Sequence, residues 1–235
     1  MIYNIDMESD LFIIILVGII HASLQLGIGT QLLLYHASLG KHIKKRTRGL
    51  VTNYILGNGF LTMMTIAALA FVIFTICSGQ MSPALLVIAV AILVALALSI
   101  WLFYYRWGKS TELWLPKSVA KFIDKRANVT ESNTEAFGLG MLACFAEAPF
   151  TLILVIVAAN SVINLPEPAK IFAIILYTLL SVMPTLIVRV AVRRGQTIVD
   201  VQRWRIKNKL FIRTVSGIGF LVLAIFILAF KVFGA

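Results

Sequence analysis

The chain has 235 residues, of which 60% are hydrophobic and 13% charged, and its formal net charge is +11. A soluble domain carries about a quarter charged residues, so this composition argues against a soluble globular protein or soluble enzyme. The positive charge does not point to nucleic acid, because the basic residues sit in short loops between long apolar runs.

The first ten residues, MIYNIDMESD, are acidic through Asp6, Glu8 and Asp10. A secretory signal starts with a basic stretch, so the first apolar segment is expected to be retained. Six runs can cross a hydrocarbon core, which needs about 20 apolar residues as helix. They are predicted at 11–35, 51–77, 84–106, 137–160, 169–193 and 210–233. Barrel strands would alternate over about ten residues, whereas these runs are continuously apolar. The expected fold class is therefore all-α, a polytopic membrane protein with six transmembrane helices.

The loops alternate in charge. Lys41, Lys44, Lys45, Arg46 and Arg48 fill the first loop, and the second, around Gly79 to Pro83, is uncharged. The third carries Arg106, Lys109, Lys117, Lys121, Lys125 and Arg126 against four acids, and the fourth carries only Glu167. The fifth carries Arg193, Arg194, Arg203, Arg205, Lys207 and Lys209 against Asp200. The positive-inside rule places the basic loops in the cytoplasm and both termini outside, in a multi-pass protein of the cell (inner) membrane. Lys170, Arg189, Arg213 and Lys231 fall near helix ends, where long side chains reach water.

The third loop divides the chain into 1–106, a linking loop at 107–136, and 137–235. Within it, PKSVAKFIDKRAN has Pro116 placed to start a helix and Val119, Phe122 and Ile123 on one side. That pattern predicts a short helix on the inner leaflet. Trp107 and Trp114 flank it, and the Tyr104, Tyr105, Arg106, Trp107 run reads as an interfacial belt. Three helices on each side of the loop put the halves in opposite orientations, as two inverted three-helix repeats. Setting Gly18 on Gly140 sets Gln25 on Glu147, Gly27 on Pro149 and Gly59 on Ser181, which lies close to Pro184. The halves also end alike, in LSIWLFYYR and LAIFILAFK. Inverted repeats with interrupted helices point to a transport site at their interface.

Glu147 is the principal candidate for chemistry. It lies near the middle of the fourth segment, with Pro149 two residues later. A carboxylate at membrane depth costs at least about 2.5 kcal/mol, so it is rare there and usually functional. Proline removes a backbone donor and crowds the preceding turn, so the carboxylate and a loosened backbone fall together. The bland alternative is a protonated glutamate bonded within the bundle. His21 and Gln25, one helical turn apart on the first segment, lie at similar depth and share a face with Gly18 and Gly29. Gly140, Cys144 and Glu147 share a face on the fourth segment, and the two small, polar faces are expected to meet. Gly57-Asn58-Gly59 is a candidate break offering Asn58 and backbone groups to a solute, with close helix packing as the alternative. Pro184 is expected to kink the fifth segment. His21 alone does not make a metal site, no cofactor motif is present, and soluble-enzyme motifs such as a phosphate loop or a His-Glu-x-x-His pair are absent. The expected partners are the bilayer and a small solute or ion, with a homo-oligomer left open.

GIIHASLQLG and FGLGMLAC resemble segments of the LysE superfamily of six-helix membrane transporters. The first is similar to the Gly-x-x-His-Ala opening of its nickel and cobalt transporters. The second is similar to a fourth-helix segment of its CcdA-type thiol-electron carriers, with Cys144 at the cysteine position and Ala143 in place of a proline. Together with the residues above, the expected function is a secondary transporter, expected to be an exporter, of a small solute or cation, with Glu147, Gln25, His21 and Asn58 as binding groups. Gly57, Gly59, Pro149 and Pro184 would be interruptions or hinges. The runner-up, implied by the resemblance, is a thiol-electron carrier using Cys144 as a redox residue. A third reading is a membrane assembly factor or scaffold. The other thiol, Cys77, is placed at the outer end of the second segment, far in depth from Cys144.

Overall fold

Apolar runs of this length must satisfy their backbone internally when no water is present, and a helix does this within one segment. A computed structural model describes residues 2–24, 26–39, 44–103 and 117–234. Gln25, Lys41, the 104–107 run, Lys109, Trp114 and Pro116 lie outside the described residues. Six helices among them are long and apolar enough to cross a membrane, at Met7–Leu24, Thr47–Ile76, Pro83–Leu102, Asn133–Asn164, Glu167–Arg193 and Lys209–Val232. Each of the six expected spans has its counterpart.

The first run, expected as a helix at 11–35, is helical on both sides of Gln25, as α1 (Ile2–Leu24) and α2 (Leu26–Leu39). Then follow α3 (Lys44–Ile76) and α4 (Pro83–Phe103). The third loop contains α5 (Lys117–Val129), which buries Ile123 and Ala127 while Phe122 and Val129 remain exposed. The second half consists of α6 (Asn133–Asn164), α7 (Glu167–Arg193), α8 (Ile198–Lys207) and α9 (Lys209–Ile227). A π-helical turn, Leu228–Val232, continues from α9. Ser132 and Glu135 form a capping box that starts α6. Thr197 and Asp200 do the same for α8, a helix the sequence reading missed although this pair was visible.

The principal interfaces join one half to the other. α3 packs along α6, α4 along α9, and α1 along α7, while α1 also meets α6 and α9. The segments 1–106 and 137–235 are therefore interleaved rather than separately packed. Phe71, Phe74, Phe145, Ile171 and Ile225 project outward, as expected where lipid replaces water.

Two apolar cores form within this packing. One contains Ile13, Ile14, Val17, Leu93, Leu154 and Phe220. The other contains Leu34, Tyr54, Ile55, Ile123, Leu139 and Ala143. Along α3 the second core reaches Ile55 and the first resumes at Ile66. Along α6 the changeover falls between Ala143 and Ile153. Asn58, Thr62, Cys144, Glu147 and Thr151 occupy these two gaps.

Candidate functional site

The site is the polar belt between the two cores. α3 contributes Asn58 and Thr62, and α6 contributes Cys144, Glu147 and Thr151. Glu147 is 7% exposed. The Thr151 hydroxyl donates to the Glu147 carbonyl at 3.2 Å, using a threonine to bond the backbone beside Pro149. The Thr62 hydroxyl donates to the Asn58 carbonyl at 3.0 Å and lies 3.4 Å from Cys144 Sγ. Tyr54, fully buried one turn before Asn58, lies within hydrogen-bonding reach of Thr30 of α2.

α1 and α7 close the belt on another side. His21 Nδ1 lies 2.9 Å from the Tyr177 hydroxyl, and both side chains are buried. Either group can donate, according to the histidine tautomer. The bond joins α1 to α7, and Tyr177 is a partner that sequence reasoning missed. Intramembrane side-chain bonds average about 0.6 kcal/mol in double-mutant cycles, with a maximum near 1.7. The coupling between His21→Ala and Tyr177→Phe is expected in that range, measured by unfolding in mixed detergent micelles. Gln31 of α2 was also missed. It is fully buried, donates from Nε2 to the Thr185 carbonyl at 2.9 Å, and leaves Oε1 without a partner among the described residues.

The two small-residue faces behave differently from the expectation that they meet. Gly18 of α1 packs against Leu180 of α7. Gly140 of α6 packs against the backbone of Tyr54 and Asn58 in α3. α1 and α6 do touch, but each small face receives a different helix from the opposite half. Gly57 abuts the Phe137 carbonyl, and Gly59 makes ordinary contact with Thr178 and Val182. α3 is helical through 57–59, and Gly57 serves close packing against α6 there. α6 and α7 likewise continue through Pro149 and Pro184. Gln25 lies outside the described residues, so the structure does not place it in the belt.

Both cysteines are free thiols. Cys144 touches Thr62, whereas Cys77 follows the end of α3, about 22 Å further along that helix by its rise. A disulfide needs alpha carbons within about 7 Å, so the two thiols do not form a pair in this arrangement. Among the described residues, no three His, Cys, Asp or Glu side chains are grouped to hold a metal ion.

Comparisons with known protein families, with curated proteins and with solved structures return no match. The class therefore follows from the chain itself: a multi-pass helical membrane protein. Its distinguishing feature is a buried polar belt built around Glu147.

Proposed function

We propose that this protein is a secondary transporter of a small solute or cation, working as an exporter and coupled to protons or ions through Glu147. The observation that carries this reading is the belt itself. A buried carboxylate, an asparagine, two threonines and a thiol lie between two apolar cores, and each core adds a buried tyrosine, Tyr177 of the first bonded to His21 and Tyr54 of the second. Polar groups at that depth mark solute and ion pathways in membrane proteins.

An inverted repeat gives the belt its mechanical logic. The register that sets Gly18 on Gly140 also sets Leu180 on Asn58, and these are the residues each glycine packs against. Helix pairing follows the same relation, since α1 with α7 is the counterpart of α6 with α3. A site between such halves opens to either side when one half rocks on the other. Pro149 and Pro184 are the proposed hinges, with both termini outside and the basic loops in the cytoplasm. The similarity to the LysE superfamily supports the same reading.

The test is proton flux in liposomes holding the purified protein, scanned across amino acids and divalent cations. Solute-dependent flux that disappears in Glu147→Gln is the expected result. Flux that survives the substitution would move the site elsewhere. Absence of flux with every solute, together with loss of thiol exchange in Cys144→Ser, would replace the transporter by a thiol carrier.

A further inference from the structure

A second buried carboxylate lies away from the belt. Asp10 of α1 is 1% exposed, and Lys231 Nζ in the π-helical turn is 3.0 Å from its Oδ1. Lys231 was expected to extend to water; instead it turns inward, with 15% of its side chain exposed. Ser161 and Asn164 of α6 border the carboxylate. The lysine is close enough to pair, yet neither Asp10 oxygen makes an aligned hydrogen bond among the described residues. Nearby in the fold, the Met81 N–H donates to Asn160 Oδ1 at 2.9 Å. Both contacts join a residue of 1–106 to one of 137–235, beyond the end of α3 and at the far ends of α6 and α9. This is the end of the bundle opposite the one bearing the basic loops.

A buried ion pair gains little net stability unless hydrogen bonds complete it, and its best-attested use is as a registry or switch element. This pair joins the first helix to the end of the last, with Ser161 and Asn164 within hydrogen-bonding reach of the carboxylate, and Lys231 belongs to a π-helical turn, a form concentrated at functional sites. We propose that Asp10 and Lys231 form the outer gate of the transport pathway. They are joined while that end is closed and parted when α1 and α9 separate to admit water to the belt. The inference rests on the transporter reading and assigns the pair to one of its two states.

Removing one partner leaves the other buried and unpaired, which penalises the closed state and shifts the population towards the open one. Cys144 is a natural reporter because it lies in the belt. In a Cys77→Ser background, a membrane-impermeant thiol reagent is applied to the face bearing the C-terminus, and modification of Cys144 is read by peptide mass. Asp10→Asn and Lys231→Met are expected to speed modification at least about fivefold, the lower end of usual coupling between sites. The exchanged pair, Asp10→Lys with Lys231→Asp, should return the rate towards the parent. Cross-linking the double variant Asp10→Cys, Lys231→Cys should slow modification below the parent, and a reductant should restore it.

Unchanged rates in both single variants, or no recovery in the exchanged pair, overturn the gate. Should the single variants fail to fold, the cross-linked protein decides: modification as fast as in its reduced form also overturns the gate. Unchanged modification with Glu147-dependent flux intact removes the gate and keeps the transporter. Accelerated modification without flux for any solute keeps gated access to the belt and removes the solute reading.

Discussion

Gly140→Ala is expected to destabilise the protein by about 3 kcal/mol or more, the upper end of the range for overpacking. In an exposed helix the same change would stabilise by up to about 1 kcal/mol, because alanine is the better helix former. The sign reverses here because the added methyl would overlap the Tyr54 carbonyl oxygen and lie 2.9 Å from the Asn58 amide nitrogen. Both are backbone atoms of a continuous helix, so no rotamer change relieves the overlap. α3 and α6 would have to separate, and theirs is the most extensive interface in the fold. Gly138→Ala is the internal control, since a methyl there meets nothing within 4 Å. Unfolding in mixed micelles should give a large loss for the first and a neutral or small gain for the second. Gly57→Ala meets the Phe137 carbonyl in the same interface. The double variant should therefore lose less than the sum of the two, because one separation relieves both contacts. A Gly140→Ala protein as stable as the parent would show that the helices do not approach at this point.

Glu147→Gln is the second large effect, and it should divide function from stability. Glutamine keeps the shape and hydrogen-bonding reach of the protonated acid but carries no charge in any state. The buried position makes an ionised carboxylate costly, by at least about 2.5 kcal/mol at the bilayer centre. The variant is therefore expected to unfold at the same denaturing strength as the parent or a higher one. Solute-coupled proton flux should fall to the level of empty liposomes, because coupling needs a group that gains and loses a proton. A variant that loses flux and stability together would instead mark Glu147 as a structural residue bonded within the bundle. His21→Ala, by contrast, should lose a modest amount of stability through its bond to Tyr177.

Much of the architecture was legible from local chemistry. Each span is a run of apolar residues whose length matches a bilayer, and no distant partner is needed to make it helical. Glu147 was legible for a related reason: one charged residue in such a run is conspicuous. Tyr177, Thr62 and Gln31 were less so, because polar side chains in an apolar run acquire meaning only from what they face. The glycines were ambiguous in the same way. A glycine marks a weak point or a close contact, and Gly57 could be assigned only once Phe137 was found against it. Lys231 looked like an end residue seeking water until Asp10, at the other end of the chain, appeared beside it.

The sequence by itself determined the number of spans, their approximate limits, and a carboxylate at depth in the fourth. These depend on hydropathy and length, which are properties of contiguous residues. The tertiary structure alone decided that the halves interleave and that each small-residue face receives a helix from the opposite half. It alone brought His21 to Tyr177 and Asp10 to Lys231. Such pairings depend on the relative rotation and depth of helices far apart in the chain, and side-chain packing between them sets both.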